Sequence, residues 1–185
     1  RGFKCRRDVL SHLEESYDSI VHKDYGGDYL GALKNFDYIA EEKLRRELIQ
    51  FYENPRSRDQ AWKTCKGSLY EYAVFKYIKH VIQTDNILNE YLDVFMGDDV
   101  LNEYQDQIVI RNWCDIYPDA DLIIVNKKTN TVKAIISCKT SLRERLTETA
   151  FWKRELERSN RTKDVKIFFI TTDKDEELKT ETNRY

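Results

Sequence analysis

Apolar residues recur at helical spacing along the first third of this chain. Val9, Leu10, Leu13, Tyr17, Ile20 and Val21 fall on one helical face, and Gly26-Gly27 breaks the run. Leu30, Leu33, Phe36, Ile39, Leu44, Leu48 and Phe51 mark a second helix with charges on its other side. Asn54-Pro55-Arg56-Ser57 reads as a loop. A third helix is expected over residues 59–84, with Leu69, Tyr72, Ala73, Phe75 and Ile78 among its apolar set. Gly67 lies inside it, where glycine costs ~1 kcal/mol relative to alanine. Either a neighbour packs close there or the helix begins anew at Ser68.

Residues 85–107 carry no clean period and fit a short helix over 87–95 followed by a loop around Gly97-Asp98-Asp99. The apolar period then falls to two. Residues 107–110, 121–125 and 132–138 read as strands. Residues 141–158 return to helical spacing, with Ser141 as N-cap and Glu144 at the capping-box position. Residues 165–170 form a last buried strand, and the charged tail from Asp173 is expected to fray. The order is helices, then β-β-β-α-β: an α/β core (58–185) behind an N-terminal helical portion (1–57), packed as one compact domain.

Composition narrows the possibilities. At 185 residues, 41% hydrophobic and 35% charged, the chain is long enough to bury one core beneath a charged surface. Six glycines and two prolines argue against a many-turned all-β fold. The net charge of -2 disfavours a protein that grips a long stretch of nucleic acid alone, because phosphate contacts supply most of that affinity. Any such role needs a local patch or a partner. Cys5, Cys65, Cys114 and Cys138 form no C-x-x-C pair, and with His12, His22 and His80 they show no zinc spacing. The expectation is four reduced thiols in a cytoplasmic protein. No apolar run approaches ~18 residues, so no membrane span is expected, and residues 1–7 lack an apolar signal region.

The chemistry gathers in one hairpin, Pro118-Asp119-Ala120-Asp121-Leu122-Ile123-Ile124-Val125 followed by Ala134-Ile135-Ile136-Ser137-Cys138-Lys139. Strand side chains alternate, so Ser137 shares a face with Lys139. A three-residue loop, Lys128-Thr129-Asn130 with Asn130 left-handed, sets Asp121 opposite Ser137 and Asp119 opposite Lys139. Carboxylates and a lysine at the ends of paired strands suit phosphodiester hydrolysis. Carboxylate oxygens bind Mg²⁺, the ion polarises phosphate and acidifies water, and the ammonium offsets developing charge.

This stretch resembles the PD-(D/E)xK nucleases, which include most Type II restriction endonucleases. The resemblance spans about residues 66–172. It implies a restriction-endonuclease-like α/β core with a mixed central sheet flanked by helices, with Mg²⁺ as cofactor, no organic cofactor, and duplex DNA as substrate. By resemblance Asp121 is the metal-binding aspartate, with Asp119 its rival, and Lys139 is the catalytic lysine. Ser137 stands where the motif's name expects Asp or Glu. A subset of restriction enzymes carries Ser-x-Lys there and takes the missing carboxylate from the following helix. Glu148 and Glu155, seven residues apart, are the candidates; Glu148 is nearer the strand end. The subset's usual spacing falls between them, at Trp152. Glu71, in "KGSLYEYAVF", resembles the glutamate that the family places on a helix before the sheet. Arg143 and Arg145 resemble phosphate-binding arginines of the same subset.

Size, slight acidity and little chain left for base reading resemble the small catalytic subunit of a heterodimeric Type IIS enzyme. In that arrangement a larger DNA-recognising nickase subunit supplies specificity and this chain cuts one strand. The alternative is a self-contained homodimeric structure-specific or repair nuclease of the same fold.

Overall fold

The computed structural model describes residues 4–111, 114–140 and 145–172; of residues 98–101, 145 and 146 it describes the backbone alone. The chain divides into two compact units, residues 1–77 and 78–185.

The first unit is helical. α1 (Arg7–Tyr25) buries Val9, Leu13, Tyr17 and Val21, a stripe at four-residue spacing, and ends where Gly26 takes the left-handed conformation at φ 58°. The single helix expected next is instead a series of short pieces: α2 (Tyr29–Lys34), α3 (Phe36–Tyr38), a π-helical turn (Ile39–Leu44) and a 3-10 segment (Arg45–Gln50). Phe36, Ile39, Ala40, Leu44 and Leu48, along these pieces, are all buried. α4 (Pro55–Thr84) begins earlier than expected, at a proline. The Asn54 side chain accepts from the backbone N–H groups of Arg56 and Ser57, and proline at a first helical position loses no bond. α4 continues unbroken through Gly67, and a Cβ there would meet nothing within 4 Å. Neither a close neighbour nor a restart explains that glycine.

One expectation about the cysteines is overturned here. Cys5 and Cys65 form a disulfide within the first unit, while Cys114 and Cys138 remain thiols. Sequence spacing could not reveal it, because the partners are 60 residues apart and meet only through the packing of the helices.

The second unit holds a four-stranded sheet in the order β1-β4-β5-β6. β1 (Leu92–Met96) follows α5 (Asn86–Tyr91), so the helix expected over 87–95 is half strand. α6 (Asp98–Ile108) occupies most of the stretch expected as strand 107–110; only Ile110–Arg111 (β2) is extended, paired with Asp115–Ile116 (β3) in a separate ribbon. β4 (Leu122–Asn126) pairs antiparallel with β1 and with β5 (Thr131–Lys139). α7 (Arg145–Arg158) leads to β6 (Lys166–Thr171), which lies parallel to β5. This is the mixed central sheet with flanking helices that the sequence led us to expect. The N-cap expected at Ser141 and the tail from Asp173 fall outside the described residues.

The hairpin departs from its expected form in an instructive way. Its turn has four residues, 127–130, with Asn130 at φ 51°. Asn126 then pairs with Thr131 and Val125 with Val132, but Ile124 pairs with Ala134, which leaves Lys133 as an extra residue: a β-bulge. The cause is hydrophobic phase. Val132 and Ile135, three residues apart, both join the core formed by Ile123, Val125, Ile108 and Leu156. A regular strand cannot turn both to one face. Absorbing one residue at exposed Lys133 can.

α7 contributes Leu156 and Trp152 to that core, an i,i+4 pair on an otherwise charged helix. Leu156→Ala is expected to lower the stability of the second unit by about 2–5 kcal/mol, as measured by denaturant unfolding. Thiol titration of the denatured, non-reduced chain is expected to find two reactive cysteines, with Cys5 and Cys65 protected. Four reactive thiols would contradict the disulfide.

Candidate active site at the hairpin end

The end of the hairpin away from its turn gathers the polar residues. Asp121, just before β4, donates its backbone N–H to the Ile136 carbonyl at 3.0 Å, the residue that also faces Leu122. Side-chain contacts, not ladder pairing, bring Asp121 and Asp119 to the end of β5. The Lys139 ammonium lies 3.0 Å from Asp119 Oδ2 and 3.1 Å from Asp121 Oδ2. The Cys138 backbone N–H donates to Asp121 Oδ2 at 2.6 Å, and the Ser137 hydroxyl reaches the same oxygen at 3.5 Å, the outer limit of a hydrogen bond.

Burial and charge pull in opposite directions here. The Asp121 side chain is 12% exposed and that of Lys139 24%. Burial raises the pKa of Asp121 and outweighs the Lys139 charge and the Cys138 N–H, which both lower it; Asp119 raises it further. For Lys139 burial acts to lower the pKa, but Asp121 and Asp119 together outweigh it and the net shift is upward. Lys139 is therefore a cation at neutral pH and not a base. Asp121 is a desolvated carboxylate that gains from any further positive charge.

The other candidate residues lie on other elements. Glu148 is half-buried on α7, one turn before Trp152. Glu155 is engaged by Arg158 at 3.2 Å. Glu71 is half-buried on α4 and belongs to the first unit. Arg143 and Glu144 lie outside the described residues, as does the Arg145 side chain. Among the described residues no three His, Cys, Asp or Glu side chains cluster closely enough to hold a metal ion; the hairpin supplies a pair of carboxylates.

Two neighbours were not visible in the sequence. The parallel register of β6 sets Phe169 beside Ser137 and Thr171 beside Lys139. The Cys138 peptide N–H is a backbone group that no motif records. Only the position of β6 could have disclosed the first pair, and only the strand pairing the second.

A mixed sheet with flanking helices, carrying two aspartates and a lysine at the ends of paired strands, defines a restriction-endonuclease-like α/β protein. Comparison with known proteins agrees. Residues 100–185 match the family model described as BsaWI restriction endonuclease type 2. The putative type II restriction enzyme MjaVIP of Methanocaldococcus jannaschii is 31% identical over 152 residues, covering 75% of this chain and 67% of that protein. The probable type II restriction enzyme HpyAORF263P of Helicobacter pylori is 44% identical over 63 residues, 34% of this chain and 33% of that protein. The chain belongs to the type II restriction endonuclease family.

The charge balance yields a direct test. In Lys139→Met, Asp121 loses the main group that offsets its burial, so its carboxyl should titrate higher still than in the wild type. Carboxyl-carbon NMR across an acid titration measures this. A lower or unchanged value would show that Lys139 does not neighbour Asp121 in solution.

Proposed function

We propose that this chain hydrolyses a phosphodiester bond of duplex DNA in a Mg²⁺-dependent reaction at the hairpin end. The observation that supports this reading above all is the single ammonium held between two carboxylates, Asp119 and Asp121, at the ends of paired strands.

The donor set suits the ion. Mg²⁺ prefers hard oxygen ligands and commonly takes one or two carboxylates, with the remainder from water and substrate phosphate. Asp121 and Asp119 are the residues that would hold it. The buried Asp121 carboxylate, its pKa raised by desolvation, is relieved by a nearby cation. Bound Mg²⁺ supplies Lewis-acid polarisation of the phosphate and a water of lowered pKa. Lys139, protonated throughout, places positive charge where the phosphate oxygens become more negative during attack. The Cys138 N–H and the Ser137 hydroxyl hold Asp121 in one orientation. Glu148, Glu71, Arg143 and Arg145 are proposed, as in the resembling enzymes, to add a further metal carboxylate and phosphate contacts when DNA is bound.

The finer reading is a catalytic subunit that cuts one strand while a larger partner reads the site. Charge supports it: at -2 the chain lacks the basic excess that phosphate binding by a lone protein usually requires. The chain spans 67% of its M. jannaschii relative, so base-reading elements of that relative can lie outside the matched region.

Asp121→Ala and Lys139→Ala are each expected to lower Mg²⁺-dependent cleavage of plasmid DNA by at least about a hundredfold. The folded state should persist, as judged by circular dichroism. Full cleavage by either variant would remove the hairpin from the chemistry. Site-specific cutting of both strands by the purified chain alone would end the partner reading and leave the nuclease reading standing.

A further inference from the structure

We propose that Gln107 is a positioning residue: it locks the β-bulge that decides which face of the sheet Lys139 occupies. The proposal rests on the reading of Lys139 given above. It concerns a residue of α6 at the opposite end of the hairpin.

Strand parity makes the bulge consequential. Carried through without it, the pairing at the turn (Asn126 with Thr131, Val125 with Val132) would set Asp121 opposite Ile136. Every later side chain of β5 would change face relative to β4. Lys139 would then point away from both aspartates, onto the face of Leu122 and Ile124. The extra residue, Lys133, sets Ile124 opposite Ala134 and Leu122 opposite Ile136, the phase in which the Ser137 and Lys139 side chains reach the Asp121 carboxylate. The opposite compromise, a shorter turn with no bulge, would drive Lys133 toward the core and Val132 out of it.

A bulge leaves backbone groups without ladder partners, and here α6 supplies them. Gln107 Oε1 accepts from the Val132 N–H at 2.9 Å, and Gln107 Nε2 donates to the Asn130 carbonyl at 2.9 Å. The two bonds flank Thr131, the pattern that a neighbouring strand's peptide makes with an edge. They fall where β5 has no strand beside it, because pairing with β6 starts only at Ala134 and Lys166. The side-chain amide thus stands in for one residue of a missing strand, next to the place where the phase changes. The Tyr104 hydroxyl, from the same helix, donates to Asn130 Oδ1 at 2.9 Å and steadies the left-handed turn residue. Tyr104 and Ile108 are themselves core residues, so the clamp is anchored from below.

Deleting Lys133 provides the discriminating experiment. It removes the mismatch itself: Val132 and Ile135 become two positions apart, the hairpin becomes regular, and Lys139 keeps its face. Four full-length proteins are compared: wild type, Gln107→Ala, the Lys133 deletion, and both changes together. Register is read from backbone NOEs linking Ile123 with Ile135 and Ile124 with Ala134. The face of Lys139 is read from NOEs between its side chain and that of Ser137. Neither measurement depends on catalysis.

In Gln107→Ala, the loss of two hydrogen bonds is expected to shift the population holding the bulged register by about tenfold. The native-register NOEs should weaken accordingly. In the Lys133 deletion both readouts should remain native, and adding Gln107→Ala should change neither. Gln107→Glu, which keeps the acceptor for Val132, should fall between wild type and Gln107→Ala. An equal cost of Gln107→Ala with and without Lys133, or no cost in either background, overturns the proposal. Should Gln107→Ala fail to fold, a folded double variant supports the proposal and an unfolded one counts as equal cost. Register lost with cleavage of plasmid DNA unchanged would instead refute the catalytic role of Lys139 and leave the clamp intact.

Discussion

The second unit depends on the phase relation between two adjacent strands. β4 buries Leu122, Ile123 and Val125, residues of both faces, so its apolar run alone expresses little preference for one register. The charges supply the missing preference. In the observed pairing one ammonium meets two carboxylates at a half-exposed end of the sheet. One residue out of phase, that ammonium would lie on the face of Leu122, away from both aspartates, and an unpaired buried charge costs several kcal/mol. Hydrophobic phase at the turn and charge pairing at the far end therefore conflict by one residue. The bulge at Lys133 reconciles them.

The site itself departs from what stability would choose. A carboxylate whose pKa is raised by burial is held in place by a lysine and a peptide N–H that do not fully compensate it. Residual strain of this kind is common where a protein waits for a charged ligand. The lysine is a fixed positive charge, kept protonated by both aspartates. The core of Ile123, Ile135 and Leu156 beneath supplies the rigidity that holds these groups within about 3 Å of one another.

The first unit is built on different principles. Its interior is filled by apolar residues of helices whose pitch changes from α to π to 3-10. Buried Lys66 lies between Asp37 and Glu41, and the Trp62 indole N–H donates to Glu41. The Cys5–Cys65 disulfide closes a long loop, which in the chain-entropy account removes about 4 kcal/mol of freedom from the unfolded state. These devices serve the stability of the first unit.

Periodicity made much of this legible. α1, β4, β5 and β6 follow from their apolar spacing, because that spacing is a local consequence of backbone geometry. The class of protein was legible too, since "PDADLIIV" and "SCKTSLRER" carry the resemblance. What the sequence alone left undecided depends on distant parts of the chain. β1 hides in a stretch with no clean period and becomes a strand because β4 offers it an edge. The disulfide joins residues 60 positions apart. The bulge arises because Val132 and Ile135 must share a core with residues of α6 and α7. Local pattern determined which residues were available for the site. Tertiary packing decided which of them meet, because the face on which a strand residue emerges is settled by everything packed against that strand.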